Sequence, residues 1–138
     1  MNVKFTISYD GSLYKGSQRQ PEKNTVEDEL WKVFKRLNID TKIILSGRTD
    51  KDVHATGQVF NCQIPTYWSD FSRLKRVLNE QLPISIMVNS INRVPDEFHS
   101  RFHAKKRVYR YLVTTKKTTP FNSKFVTYEP HINQEAIK

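Results

Sequence analysis

Arg48, Asp50, Asp52 and His54 stand in one short stretch, Ser46-Gly47-Arg48-Thr49-Asp50-Lys51-Asp52-Val53-His54-Ala55. It offers a cation, two carboxylates and an imidazole, with almost nothing apolar between them. In an extended segment residues i and i+2 point the same way, so Arg48 and Asp50 can meet. The guanidinium would hold Asp50 ionised, which suits a nucleophile or base and not a proton donor. Asp52 raises the second possibility of an acid/base carboxylate pair of the kind that cleaves glycosidic bonds. A charged, solvated hairpin tip is the third reading of the same residues.

Other groups offer less. His54, His99, His103 and His131 are scattered, and His99 and His103 would share a face only on a helix that Ser100-Arg101-Phe102 does not support. They read as surface or hydrogen-bonding histidines, and no metal site is expected. Cys62 is the one cysteine, which excludes an intrachain disulfide and a cysteine-rich metal site. It falls in an alternating strand pattern and reads as a buried structural thiol. Arg19 and Gln20 lie in a polar loop over residues 12–21, where they could touch a phosphate, although a free surface arginine is the simpler reading. Tyr109 and Tyr111 follow Lys105-Lys106-Arg107 and would share one face of a strand, with Arg110 on the other. An aromatic beside cations on a sheet is how unpaired bases are held, and core packing is the alternative for either tyrosine.

The elements that must position these residues follow from hydrophobic spacing. Val3, Phe5, Ile7 and Tyr9 alternate with polar residues, as a half-buried strand does, and Asp10-Gly11 turns it. Thr25 and Asp28 open an amphipathic helix over 25–37. Residues 39–45 and 55–64 predict two strands flanking the charged stretch, which makes it a loop carried on rigid strands. Ser69 or Asp70 caps a second helix that Pro83 ends, and 84–94 and 108–114 read as further strands. Asn133 to Lys138 resembles the opening turn of a helix. The order is an α+β sandwich, βαββαβ with an added strand, the ferredoxin-like arrangement that RNA-recognition modules also use.

The chain of 138 residues reads as one domain with room for a core. Its 23 Lys and Arg against 14 Asp and Glu give a formal net charge of +9, which favours a polyanion partner, nucleic acid above all. No apolar run approaches the roughly 20 residues of a membrane span, and the N-terminus has no signal-peptide pattern, so a soluble cytoplasmic protein is expected.

The charged loop and the tyrosine strand have companions in a fixed order. Tyr9-Asp10-Gly11, Gln18-Arg19-Gln20, Gly47-Arg48-Thr49-Asp50, Val53-His54-Ala55, Gly57-Gln58-Val59, Phe98-His99-Ser100-Arg101-Phe102 and Tyr109-Arg110-Tyr111 run through almost the whole chain. In these motifs the sequence resembles the tRNA pseudouridine synthase A (TruA) family. That resemblance implies isomerisation of uridine to pseudouridine in the anticodon arm of tRNA, with no cofactor or metal. It makes Asp50 the catalytic aspartate, Arg48 its salt-bridge partner and Tyr109 the tyrosine that stacks on the target base; Arg19 and Arg101 would contact RNA. It also implies that 1–138 is the N-terminal, catalytic-aspartate half of a two-domain fold, with the second domain absent from this chain, and that the full-length form is a homodimer.

The chain departs from the family pattern within the motifs. The usual RTDAGVH has Lys51-Asp52 in place of its Ala-Gly, which strains Asp52 if that glycine has positive φ. The usual GWQRQ has Ser17 for its tryptophan, which would remove a large packing group near the RNA-facing loop. Two readings from other classes stand beside the enzyme: a non-catalytic RRM-like RNA-binding module, and a small ferredoxin-like hydrolase acting on acidic substrates. Lys105 to Tyr111 matches the RNP pattern of an RRM poorly.

Overall fold

Alternation along the first strand settles where the core lies. The computed structural model describes residues 1–21 and 24–132, and the chain divides into two compact units, Met1–Lys105 and Lys106–Lys138. In the first, β1 (Asn2–Tyr9) sends Val3, Phe5, Ile7 and Tyr9 to one face, where all four are buried. Phe5 stacks on Phe60 of β3 (Ala55–Gln63), ring centroids 4.7 Å apart, and meets Phe34 of α1 (Val26–Arg36) edge-on at 5.9 Å. Leu74 and Leu78 of α2 (Phe71–Gln81) and Ile86 and Val88 of β4 (Ile86–Arg93) complete the same cluster. With β2 (Ile44–Leu45) the sheet has the order β2-β3-β1-β4 and every pairing is antiparallel. This is the ferredoxin-like βαββαβ arrangement, with β1 in the interior.

Caps start the helices where the sequence predicts. Thr25 Oγ1 accepts from Asp28 N at 3.2 Å, and Asp70 Oδ1 accepts from Arg73 N at 3.1 Å. Glu27, Asp28 and Glu29 in the first turn of α1, with Lys35 and Arg36 in its last, complement the helix dipole.

Three strands are shorter than the hydrophobic pattern suggests, two because a rung is taken by something else and one because a partner strand is short. In β2, Thr41 Oγ1 receives the Gln63 N–H at 2.9 Å, so no backbone ladder reaches residues 39–43, although Ile39 and Ile43 are buried. Before β4, Ile86 N donates to Pro83 O at 3.0 Å in a turn that leaves Ile84 fully exposed. In the second unit the strand expected over 108–114 is confined to β5 (Val113–Thr114), which pairs in parallel with β6 (Thr127–Tyr128). High β propensity at Val108, Tyr109 and Tyr111 does not make a strand without a partner for its backbone groups.

No hydrophobic residue beyond Val88 is fully buried among the described residues, so the single core expected over 1–138 is a property of the first unit. The helical turn expected at the C-terminus lies outside the described residues. No helix among those described is long and apolar enough to cross a membrane.

Candidate active site

The loop between β2 and β3 is pinned by backbone and side-chain bonds at nearly every residue. Ser46 N donates to Val59 O at 2.8 Å, and Gln58 Nε2 donates to Gly47 O at 2.9 Å. Thr49 is held on three sides. Its N–H donates to Ser17 Oγ at 2.8 Å, its carbonyl accepts from Ser17 N at 3.0 Å, and its hydroxyl lies 2.7 Å from Tyr9 Oη. Gln58 Nε2 reaches the same Tyr9 oxygen at 3.4 Å. Asp50 then begins a turn that Val53 N closes on Asp50 O at 3.2 Å, with Asp52 at φ 69°. A positive φ at the third residue is the requirement of a type II turn. The condition attached to the glycine of the family pattern is thus met, and Asp52 occupies a left-handed position.

The floor of this loop is the strand-to-helix connection that follows β1. Asp52 N donates to Gly11 O at 3.2 Å, and Gly11 N donates to His54 Nδ1 at 3.0 Å. A Cβ on Gly11 would lie 1.8 Å from Val53 O, so only glycine lets the two segments close. Gly16, at φ +100°, sits under Thr49 in the same way, its Cβ position 2.9 Å from Thr49 O. His54 also approaches Asp10 Oδ1 at 3.2 Å, an oxygen that accepts from Ser12 N and Ser12 Oγ. His54 therefore fastens the loop to the end of β1.

Asp50 is exposed at the tip of this support, and so is Arg48. The ion pair expected between them is not formed, and neither side chain has an ion pair among the described residues. The i, i+2 rule holds in a strand, and the strand ends at Leu45, before either residue. What orients Asp50 is the backbone on both sides of it. Asp52, at the turn's third position, is also exposed and does not form a buried acid/base pair with Asp50.

Arg19 lies against α1, its Nε 3.2 Å from Asp28 Oδ1 and its guanidinium carbon 4.5 Å from the Trp31 ring centre. The side chain stays 44% exposed, which leaves an edge open to a phosphate. A hollow of about 560 Å³ beside Trp31, Arg19 and Lys42 contains no residue of the 46–54 loop. Arg101 is exposed on the segment after β4, which is anchored from beneath by two buried asparagines. Asn61 Oδ1 accepts from Ser100 N at 2.8 Å, Asn61 Nδ2 donates to Asn2 Oδ1 at 3.0 Å, and Asn2 Nδ2 donates to Pro95 O at 2.9 Å and Phe98 O at 3.0 Å. His99 Nδ1 accepts from Arg101 N and Phe102 N, and His103 Nδ1 accepts from His99 N, so both rings serve the backbone of this segment. Among the described residues no group of His, Cys, Asp and Glu is arranged to hold a metal ion. Burial pushes the Cys62 thiol up to about 12, which keeps it protonated and inert at neutral pH.

Asp50, Arg48, Arg19 and Arg101 all belong to the first unit. Tyr109 belongs to the second, where it is 64% exposed in a segment without ladder pairing. Sequence reasoning missed Asn2 and Asn61, read Ser17 only as the loss of a large packing group, and gave Tyr9 and Gln58 no role beyond their motifs. The available signal was weak: a polar residue at an otherwise ordinary position of a strand or loop.

Known proteins match this sequence. The sequence profile of a family described as tRNA pseudouridine synthase matches residues 6–103. The chain is 38% identical over 139 residues to a protein of Phytoplasma mali (strain AT) named tRNA pseudouridine synthase A, an alignment covering 99% of this chain and 57% of that protein. It is 39% identical over 145 residues to proteins of the same name from Streptococcus pyogenes serotypes M49 (strain NZ131) and M1, with 99% of this chain and 58% of each relative covered. The chain thus spans a little over half the length of these curated relatives.

Proposed function

We propose that this chain, which belongs to the tRNA pseudouridine synthase family, supplies the catalytic carboxylate for isomerising uridine to pseudouridine in the anticodon arm of tRNA, with Asp50 in that role. The observation that carries the reading is an exposed aspartate at the tip of a loop whose backbone is fixed by Ser17, Gln58 and Val53 and whose Thr49 hydroxyl meets that of Tyr9. A merely solvated turn has no need of four separate anchors.

The chemistry breaks the N1–C1′ bond, turns the uracil and joins C5 to C1′; C5 gives up its proton and N1 takes one up, so the product is an isomer. An ionised carboxylate serves either by trapping the electron-poor C1′ or by removing the C2′ proton to leave a glycal. Arg48, on the same loop, contributes positive charge beside it. The target nucleotide must leave its stack first, and an aromatic shelf offsets about 1–3 kcal/mol of that cost. Tyr109 is assigned that shelf, and Arg19 and Arg101 are assigned contacts to the RNA backbone. In the full-length protein this half acts within a homodimer, in the cytoplasm where tRNA is modified. The freed uracil must be kept from water, and the open position of Asp50 leads us to expect slow turnover from the 138-residue chain alone.

The test is release of tritium from uridine C5 of labelled tRNA under single-turnover conditions with protein in excess. Asp50→Asn is expected to lose about 10²–10⁴-fold in rate, the range for removing a positioned acid or base, while tRNA affinity stays. Binding without any release, in the full-length wild-type protein, would favour the non-catalytic RNA-binding reading instead.

A further inference from the structure

Among the described residues Asp50 has no side-chain anchor of its own: its carboxylate is exposed, and the expected partner Arg48 does not hold it. Its direction must come from the peptide units on either side. On the C-terminal side the turn bond from Val53 N to Asp50 O fixes one of them. On the N-terminal side the Thr49 carbonyl belongs to the peptide bond that leads into Asp50, and its N–H belongs to the unit before.

Both of those groups end on one residue. Ser17 Oγ accepts the Thr49 N–H at 2.8 Å, Ser17 N donates to Thr49 O at 3.0 Å, and the hydroxyl also faces that carbonyl at 3.5 Å. Ser17 is 0% exposed, so water does not compete for these bonds. Its own segment is in turn fixed to the start of α1, since Glu27 N donates to Ser17 O at 2.9 Å and Val26 N to Gly16 O at 3.2 Å. The chain of support runs from α1 through Ser17 and Thr49 to Asp50.

We infer that Ser17 is a positioning residue, a buried latch that sets the direction of the Asp50 carboxylate through the backbone of Thr49. The inference rests on the assignment of Asp50 as the catalytic group. It also revises what the sequence implies at this position: Ser17 is not a lost surface packing group but an interior hydroxyl with two backbone partners.

Two readouts decide it. The first is amide hydrogen exchange at Thr49 in the chain as it stands. The wild type is expected to protect this loop amide, and Ser17→Ala to lower its protection by at least about tenfold while the amides of β1 keep theirs. An unprotected Thr49 amide in the wild type, or equal protection in Ser17→Ala, overturns the latch without reference to activity. The second is single-turnover tritium release with the full-length protein. Ser17→Ala is expected to lose about 10–100-fold in rate, as misplacement of a reacting group by an ångström does, with tRNA affinity within about twofold; Ser17→Thr, which keeps the hydroxyl, is expected to restore most of the rate. An unchanged rate in Ser17→Ala, or parallel losses of rate and affinity, overturns the positioning role. If the wild type binds tRNA and releases nothing, the assignment of Asp50 fails, and amide exchange alone still judges the latch.

Discussion

Asp52 adopts φ 69° at the third position of the turn that follows Asp50. A left-handed conformation costs an L-residue about 1–2 kcal/mol, and aspartate less than most. Asp52→Gly is therefore expected to stabilise the chain by about 0.5 kcal/mol, the relief of strain exceeding the entropy glycine adds to the unfolded state. Asp52→Val is expected to destabilise it by about 1–2 kcal/mol, because a β-branched residue tolerates this region worst. Denaturant midpoints at constant m-value measure both; a valine variant as stable as the wild type would contradict the turn geometry. The requirement for positive φ was legible in advance only as a glycine in the family pattern. Exposed Lys51, beside it, is explained by its place at the turn's tip, where no packing selects a side chain.

Helix α1 carries a carboxyl in an unfavourable place. Burial pushes Glu27 above its usual 4.5, and the hydrogen bond from the Arg19 backbone N–H only partly offsets this. A carboxyl raised on folding keeps its proton longer in the folded state than in the unfolded chain. Stability is therefore fully present below the unfolded value and falls as pH rises from there through the folded value. Glu27→Gln keeps an acceptor for the Arg19 N–H and removes the titration. Its melting temperature relative to the wild type is expected to improve as pH goes from about 4 to about 7; a constant difference would show that Glu27 is not desolvated. The helix itself was plain in the sequence, from Thr25 and the spacing of Val26, Leu30, Val33 and Phe34. The strand lengths were not, because a strand ends where a partner does, and Thr41 and Pro83 act on the ladder from outside the hydrophobic pattern.

At the scale of the whole molecule the formal charge of +9 is the dominant fact. RNA binding by such a chain releases counterions, so the logarithm of affinity should fall linearly with the logarithm of salt concentration. Six phosphate contacts would lower affinity about 10³-fold between about 50 and about 200 mM salt. Titration of tRNA by the chain at several salt concentrations measures the slope; affinity indifferent to salt would remove nucleic acid as the partner. Of the basic residues named for RNA, Arg19 already spends its Nε on Asp28 and its face on Trp31.

Sequence alone determined the element order of the first unit, the core face of β1 and both helices, and the family, because each is written in local spacing or in motifs of a few residues; the short β6 was not foreseen. It also singled out Asp50 as the residue to test. Only the tertiary structure decided how the loop around Asp50 is held. Ser17 meets Thr49, Tyr9 meets Thr49 and Gly11 meets His54 across more than thirty residues of chain in each case. Bonds between positions so far apart leave no period and no local pattern, so the guess that survives from local spacing, an Arg48–Asp50 pair, is the one the fold replaces.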